Sequence, residues 1–71
     1  MKTINLSPQS LLSPREAAEV LSTTVSTLSS WRVLGKVEPR WCKIGKLVRY
    51  QYADLLAFIE KQKKGGHRYE Q

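Results

Sequence analysis

The sequence predicts a mainly α fold with a small β-hairpin, and three observations predict it. Apolar residues recur at helical spacing in three short stretches, over residues 14–22, 25–34 and 52–62. Between the second and third, from Arg40 to Tyr50, the spacing changes to alternation around Gly45. The chain of 71 residues has room for one core only, since domains this small bury about 60% of the surface their unfolded chain exposes. A single Cys excludes an internal disulfide, and one Cys with one His cannot complete a four-ligand zinc site. The core is therefore expected to be purely hydrophobic, with no metal or other cofactor.

Residues 1–10 are polar, contain Pro8 and show no periodicity, so they are expected to form a flexible N-terminal arm, with order beginning at Leu11. Ser13-Pro14-Arg15-Glu16 then combines three helix-start signals. They are a Ser at the N-cap, a Pro at the first helical position and a Glu placed to complete a capping box. The first helix runs through Ala17, Ala18, Val20 and Leu21, its two alanines allowing another helix to approach closely, and ends near Ser22.

Ser22-Thr23-Thr24 breaks the helix with side chains that compete for backbone hydrogen bonds, and Thr24 is placed to cap a second helix over Val25 to Leu34. Leu28, Trp31 and Leu34 recur every three residues and are expected to face the core. Val25, Ser26, Ser29, Ser30 and Val33 then look outward. Gly35 stands where a helix C-terminus prefers glycine, and Pro39 prevents continuation soon after. Two short helices joined by a tight polar turn describe a helix-turn-helix.

The loop length of the hairpin follows from the faces each choice creates. A two-residue Gly45-Lys46 loop pairs Ile44 with Leu47 and Lys43 with Val48, mixing charged and apolar groups on both faces. A three-residue Gly45-Lys46-Leu47 loop pairs Ile44 with Val48 and Cys42 with Tyr50, and leaves Lys43 and Arg49 together on the opposite face. The second is preferred because it separates an apolar face from a basic one, with Lys46 at the tip. In it Cys42 is a small buried hydrophobe, not a nucleophile.

A third helix fits Tyr52 to about Gln62, with Asp54 in its first turn and Lys61 in its last complementing the helix dipole, and with Leu55, Leu56 and Ile59 as its apolar stripe. Residues 63–71 are expected to be a disordered basic tail. The N-terminus lacks the apolar stretch of a signal peptide, and the longest apolar run, Leu55 to Ile59, is far short of the roughly 20 residues that span a bilayer. A soluble cytoplasmic protein with no membrane partner is expected.

Charge gives the first indication of a partner. Of a net +6, most lies between residues 32 and 50, where Arg32, Lys36, Arg40, Lys43, Lys46 and Arg49 stand against Glu38 alone. These cations alternate with Trp41, Ile44, Leu47, Val48 and Tyr50, which suggests a folded surface facing a polyanion. Double-stranded DNA is the expected partner.

The order of helix, polar turn, helix, hairpin and helix, together with particular residues, resembles the excisionase-type and AlpA-like branch of the MerR-related winged helix-turn-helix proteins. The matching features span residues 11 to about 62. They are the leucine pair and capped start over Leu11 to Glu16, Ala17-Ala18, Thr27-Leu28 with Trp31, Gly35-Lys36, Ile44-Gly45-Lys46, and Arg49-Tyr50 followed by Asp54-Leu55. The chain departs from the family pattern at Ser22, where Gly is usual, and at Thr23, where an apolar residue is usual. The resemblance implies a small phage, prophage or mobile-element factor that binds DNA without catalysis. Some such factors bind tandem sites beside an integrase and set the direction of recombination, and others regulate transcription. It also implies that the second helix enters the major groove while the hairpin, as a wing, reaches the backbone or minor groove. By that resemblance Thr24, Ser26, Thr27, Ser29, Ser30 and Arg32 become groove or phosphate contacts, and Lys43, Lys46 and Arg49 wing contacts; side-chain chemistry adds Val25 to the recognition helix, and the charge of the segment adds Lys36 and Arg40 as backbone contacts.

The second helix lacks outward Arg, Asn or Gln side chains of the kind that make bidentate contacts to purines; its serines and Val25 offer single hydrogen bonds and methyl contacts. Specificity is then expected from DNA shape, from copies self-associating on tandem sites, or from a partner such as an integrase or recombinase. Arg49 has a second reading, an ion pair with Asp54, and Trp41 stays open between core and base stacking. No enzyme and no small-molecule substrate are expected, because the acids are scattered and no nucleophile has a base within reach. The rival class is a protein-interaction module, an anti-repressor or integrase adaptor, using the basic face on an acidic partner. RNA is a weaker option, since its deep, narrow major groove does not admit a helix.

Overall fold

The structure is a computed structural model, and it describes residues 6–65, with side chains through Lys63. It contains β1 (Leu11–Leu12), α1 (Pro14–Leu21), α2 (Val25–Val33), β2 (Cys42–Ile44), β3 (Leu47–Gln51) and α3 (Tyr52–Gly65). The strands form one antiparallel sheet in the order β1-β3-β2. Three helices with a small antiparallel sheet make a winged helix-turn-helix, as the sequence predicts.

The helix boundaries follow from local hydrogen bonding. At the start of α1 the Glu16 N–H donates to Ser13 Oγ at 3.2 Å, and the Ser13 N–H donates to Glu16 Oε1 at 2.9 Å, closing the capping box. Thr24 caps α2 by accepting the Thr27 N–H at 3.0 Å. Both helices end in the same motif. In α2 the Gly35 N–H donates to Arg32 O and the Lys36 N–H to Trp31 O, with Gly35 left-handed at φ 77°. In α1 the Ser22 N–H donates to Glu19 O and the Thr23 N–H to Ala18 O, with Ser22 left-handed at φ 56°. Ser22 thus adopts the conformation for which glycine is usual at this turn.

The core is Leu12, Ala17, Ala18, Leu28, Tyr50 and Leu55, with Leu6, Val20, Leu21, Trp31, Val48 and Tyr52 packed against it. Ala17 and Ala18 are fully covered because α1 lies between α2 and α3 and also touches β3. Trp31 of α2 meets Phe58 of α3 with ring centroids 5.7 Å apart.

Five expectations need correction. Leu34 is 71% exposed instead of facing the core. A spacing of three residues lags the helical period by about 60° per step, so two steps from Leu28 carry Leu34 away from the buried face, and α2 ends at Val33. On α3 Leu56, one residue on from buried Leu55, is turned about 100° away and lies outside, and Phe58 and Ile59, about 60° and 40° to either side of Leu55, join it on the inner face. Residues 6–10 are not a loose arm. Ser10 O accepts the Tyr52 N–H and Pro8 O accepts the Ala53 N–H, both at 2.9 Å, so this segment satisfies the first orphan donors of α3 and leads into β1. Residues 63–65 continue α3; the rest of the expected arm (1–5) and tail (66–71) lies outside the described residues.

The fifth correction is the hairpin register. Ile44 pairs with Leu47, Lys43 with Val48 and Cys42 with Arg49, so the loop is Gly45-Lys46. The preference for a longer loop assumed a buried apolar face, but all three residues of β2 are exposed and no burial pins the register. The turn decides instead: Gly45 sits at φ 64° in the first loop position, the glycine signature of a tight type II′ hairpin turn. Cys42 is accordingly exposed on the outer face opposite Arg49, not buried opposite Tyr50.

Candidate nucleic-acid interface

Helix α2 presents its polar side to solvent because Leu28 and Trp31 occupy the other. Val25 (44% exposed), Ser26, Ser30 and Val33 (83%) lie outward, and Ser29 is half-buried at the edge of this face. Ser26, Ser29 and Ser30 line an open depression with Val33 and Leu34. Thr24 and Thr27 are less available. The Thr24 hydroxyl accepts the Thr27 N–H and donates to Thr27 Oγ1 at 2.9 Å, so the two hydroxyls serve the cap first.

Arg32 is turned away from that face. Its Nη1 donates to Tyr50 Oη at 2.6 Å, and its guanidinium carbon lies 5.8 Å from the Trp41 ring centroid and 6.0 Å from that of Tyr50. Trp41, whose place the sequence leaves open, is 40% exposed and bears on Arg32. Nothing in sequence spacing could have linked Arg32 to Tyr50, 18 positions away.

The wing cations are distributed differently from the expectation. The observed register sets Lys43 beside Val48 on the Tyr50 side of the sheet, and Arg49 beside Cys42 on the outer side, so the two do not share a face. Lys46 is exposed at the tip, and Lys36 and Arg40 are exposed in the segment between α2 and β2. Arg49 does not pair with Asp54; its Nη1 donates to the Val48 carbonyl at 2.7 Å.

One arrangement of acids bears on the field this surface makes. Glu38, the single acid of the basic segment, reaches Lys61 of α3 at 3.1 Å, and Glu60 reaches Lys63 at 3.2 Å. Among the described residues, no carboxylate lies within ion-pair distance of Arg32, Lys36, Arg40, Lys43, Lys46 or Arg49. A basic segment whose one acid is engaged elsewhere keeps its positive potential for an external anion.

A family model described as a helix-turn-helix domain matches residues 11–63. This chain belongs to that helix-turn-helix family. No curated protein and no solved structure matches it. Membership makes the chain a small helix-turn-helix DNA-binding protein, with duplex DNA as its partner.

In such a helix-turn-helix protein, the chemistry on offer divides by element. Helix α2 brings hydroxyls and methyl groups, suited to single hydrogen bonds and thymine methyl contacts. The wing and the segment before it bring the exposed cations Lys36, Arg40, Lys43 and Lys46 and the half-buried Arg49, suited to phosphates. Among the described residues no group of three or more His, Cys, Asp or Glu side chains is placed to hold a metal ion, and no helix is long and apolar enough to cross a membrane.

Proposed function

We propose that the outward face of α2, Val25, Ser26, Ser29 and Ser30 with the cap residues Thr24 and Thr27, enters the major groove. Lys36, Arg40, Lys43, Lys46 and Arg49 hold the phosphate backbone, and the protein acts by binding alone, without catalysis. The observation that carries this reading is the set of cations left without carboxylate partners beside a polar, solvent-facing helix. The helix has little capacity for bidentate base contacts, so one subunit discriminates sequences weakly while its phosphate contacts bind firmly.

That imbalance favours a factor that works by coating or bending a site. The biological role we propose is that of an excisionase, a recombination directionality factor of a phage, prophage or mobile element. It would bind cooperatively on tandem sites beside an integrase site and impose a DNA geometry on it. An AlpA-like transcriptional regulator would use the same surface on a promoter.

A mobility-shift titration tests both levels, using DNA that flanks this protein's gene and any adjacent integration site, with unrelated duplex as competitor. The proposal expects a ladder of discrete, competitor-resistant shifts. A single competitor-resistant shift would assign the regulator role, and no shift even at low salt would move the chain to the protein-interaction class.

A further inference from the structure

Arg32 is the only residue of α2 with the guanidinium fork that reads guanine or clamps a phosphate. The fold employs that fork internally. Nη1 donates to the hydroxyl of Tyr50, a residue 1% exposed in β3, and the guanidinium lies over both the Tyr50 and Trp41 rings. Trp41 precedes β2, and continuing the Cys42–Arg49 register sets it opposite Tyr50, so the cation bridges both strands of the hairpin at its base. Helix α2 packs chiefly along α1, and neither hairpin strand lies alongside it.

We propose that Arg32 is a positioning residue: it is the joint that sets the angle between α2 and the wing, so that both engage one duplex together. This rests on the DNA-binding reading above and replaces the expectation from the sequence that Arg32 contacts DNA. The fork matters to the joint, because a lysine keeps the charge but cannot reach the Tyr50 phenol with one nitrogen while setting a delocalised cation beside the Trp41 ring. A joint of this kind has a signature that neither a phosphate contact nor a purely structural role shares. When it is loosened, the wing's own cations lose their value, although the joint does not touch them.

The experiment is a set of three double-mutant cycles read as affinity for one duplex, at a temperature where circular dichroism shows every variant folded. Arg32→Lys and Tyr50→Phe are each expected to weaken binding by about fivefold to tenfold, and the double variant by no more than the stronger single. Lys46→Ala, which weakens binding of the unmodified chain, is expected to have little further effect in either background. Wild-type binding by Tyr50→Phe, or losses that multiply between Arg32→Lys and Lys46→Ala, would overturn the joint and return Arg32 to the phosphate contacts. If Arg32→Lys does not fold, the Tyr50→Phe and Lys46→Ala cycle decides alone. Failure of the unmodified chain to bind duplex at low salt would remove the DNA reading itself, a result distinct from normal binding with additive losses.

Discussion

On the proposed reading, helix α2 and the wing meet one duplex with opposite means. The helix is anchored from beneath by fully buried Leu28 and shows the outside hydroxyls and methyls; the wing has no buried residue in β2 and shows cations on both of its faces. On that reading the helix is firmly placed but weakly attractive, and the wing is strongly attractive and, among the described residues, tied to the rest of the fold through β3 and the Arg32 contact. Affinity and sequence preference are thus assigned to different elements, and each can be changed with the other left in place.

The largest expected effect comes from taking away the helix's anchor. Leu28→Ala removes a wholly buried side chain at the meeting of α1, α2 and the sheet, and a cost of about 2–5 kcal/mol follows from the missing methyl groups and the cavity they leave. For a domain this small that cost approaches the whole stability, so urea denaturation should find little folded protein at 25 °C. Retention of a cooperative transition with a midpoint near that of the parent would mean that α2 is held by something other than this core.

A smaller change sharpens the comparison at the turn before the helix. Ser22 and Gly35 close the same motif at the ends of α1 and α2, both left-handed, but only Gly35 does so without a side chain. Ser22→Gly is expected to stabilise by about 0.5–1 kcal/mol, seen as a rise in Tm of roughly 2–8 °C, with DNA affinity unchanged. A fall in Tm would show that the serine side chain does something for the turn beyond tolerating it.

The helix-turn-helix was legible because its signals are local. Ser13, Pro14 and Glu16 mark the start of α1, Thr24 the start of α2 and Gly35 its end, and each acts within a few residues of itself. The wing was legible as a hairpin at Gly45 but not in its register. Alternation specifies register only when one face is buried, and Ile44 and Leu47, both about half exposed, give no such preference. The role of residues 6–10 was hidden for a different reason: backbone carbonyls at Pro8 and Ser10 meet α3 donors, and backbone acceptors carry no sequence signal. Of the proposed interface, exposure of Ser26, Ser30 and the wing lysines followed from periodicity and charge, while Ser29 is half-buried at its edge. The inward turn of Arg32 did not, since it depends on Tyr50 and Trp41 arriving from elsewhere in the chain.

The division of labour between helix and wing is tested most directly by the salt dependence of binding to a single duplex. Three proteins would be compared: the unmodified chain, a variant with Lys43, Lys46 and Arg49 changed to Ala, and one with Ser26, Ser29 and Ser30 changed to Ala. The slope of log affinity against log salt should flatten by about three in the wing variant, one for each phosphate no longer neutralised. In the serine variant it should stay at the parental value while the preference for the flanking site over unrelated duplex declines. Equal slopes for the unmodified and wing-neutralised proteins would contradict the account, because the cations that neutralise phosphates would then lie elsewhere on the molecule.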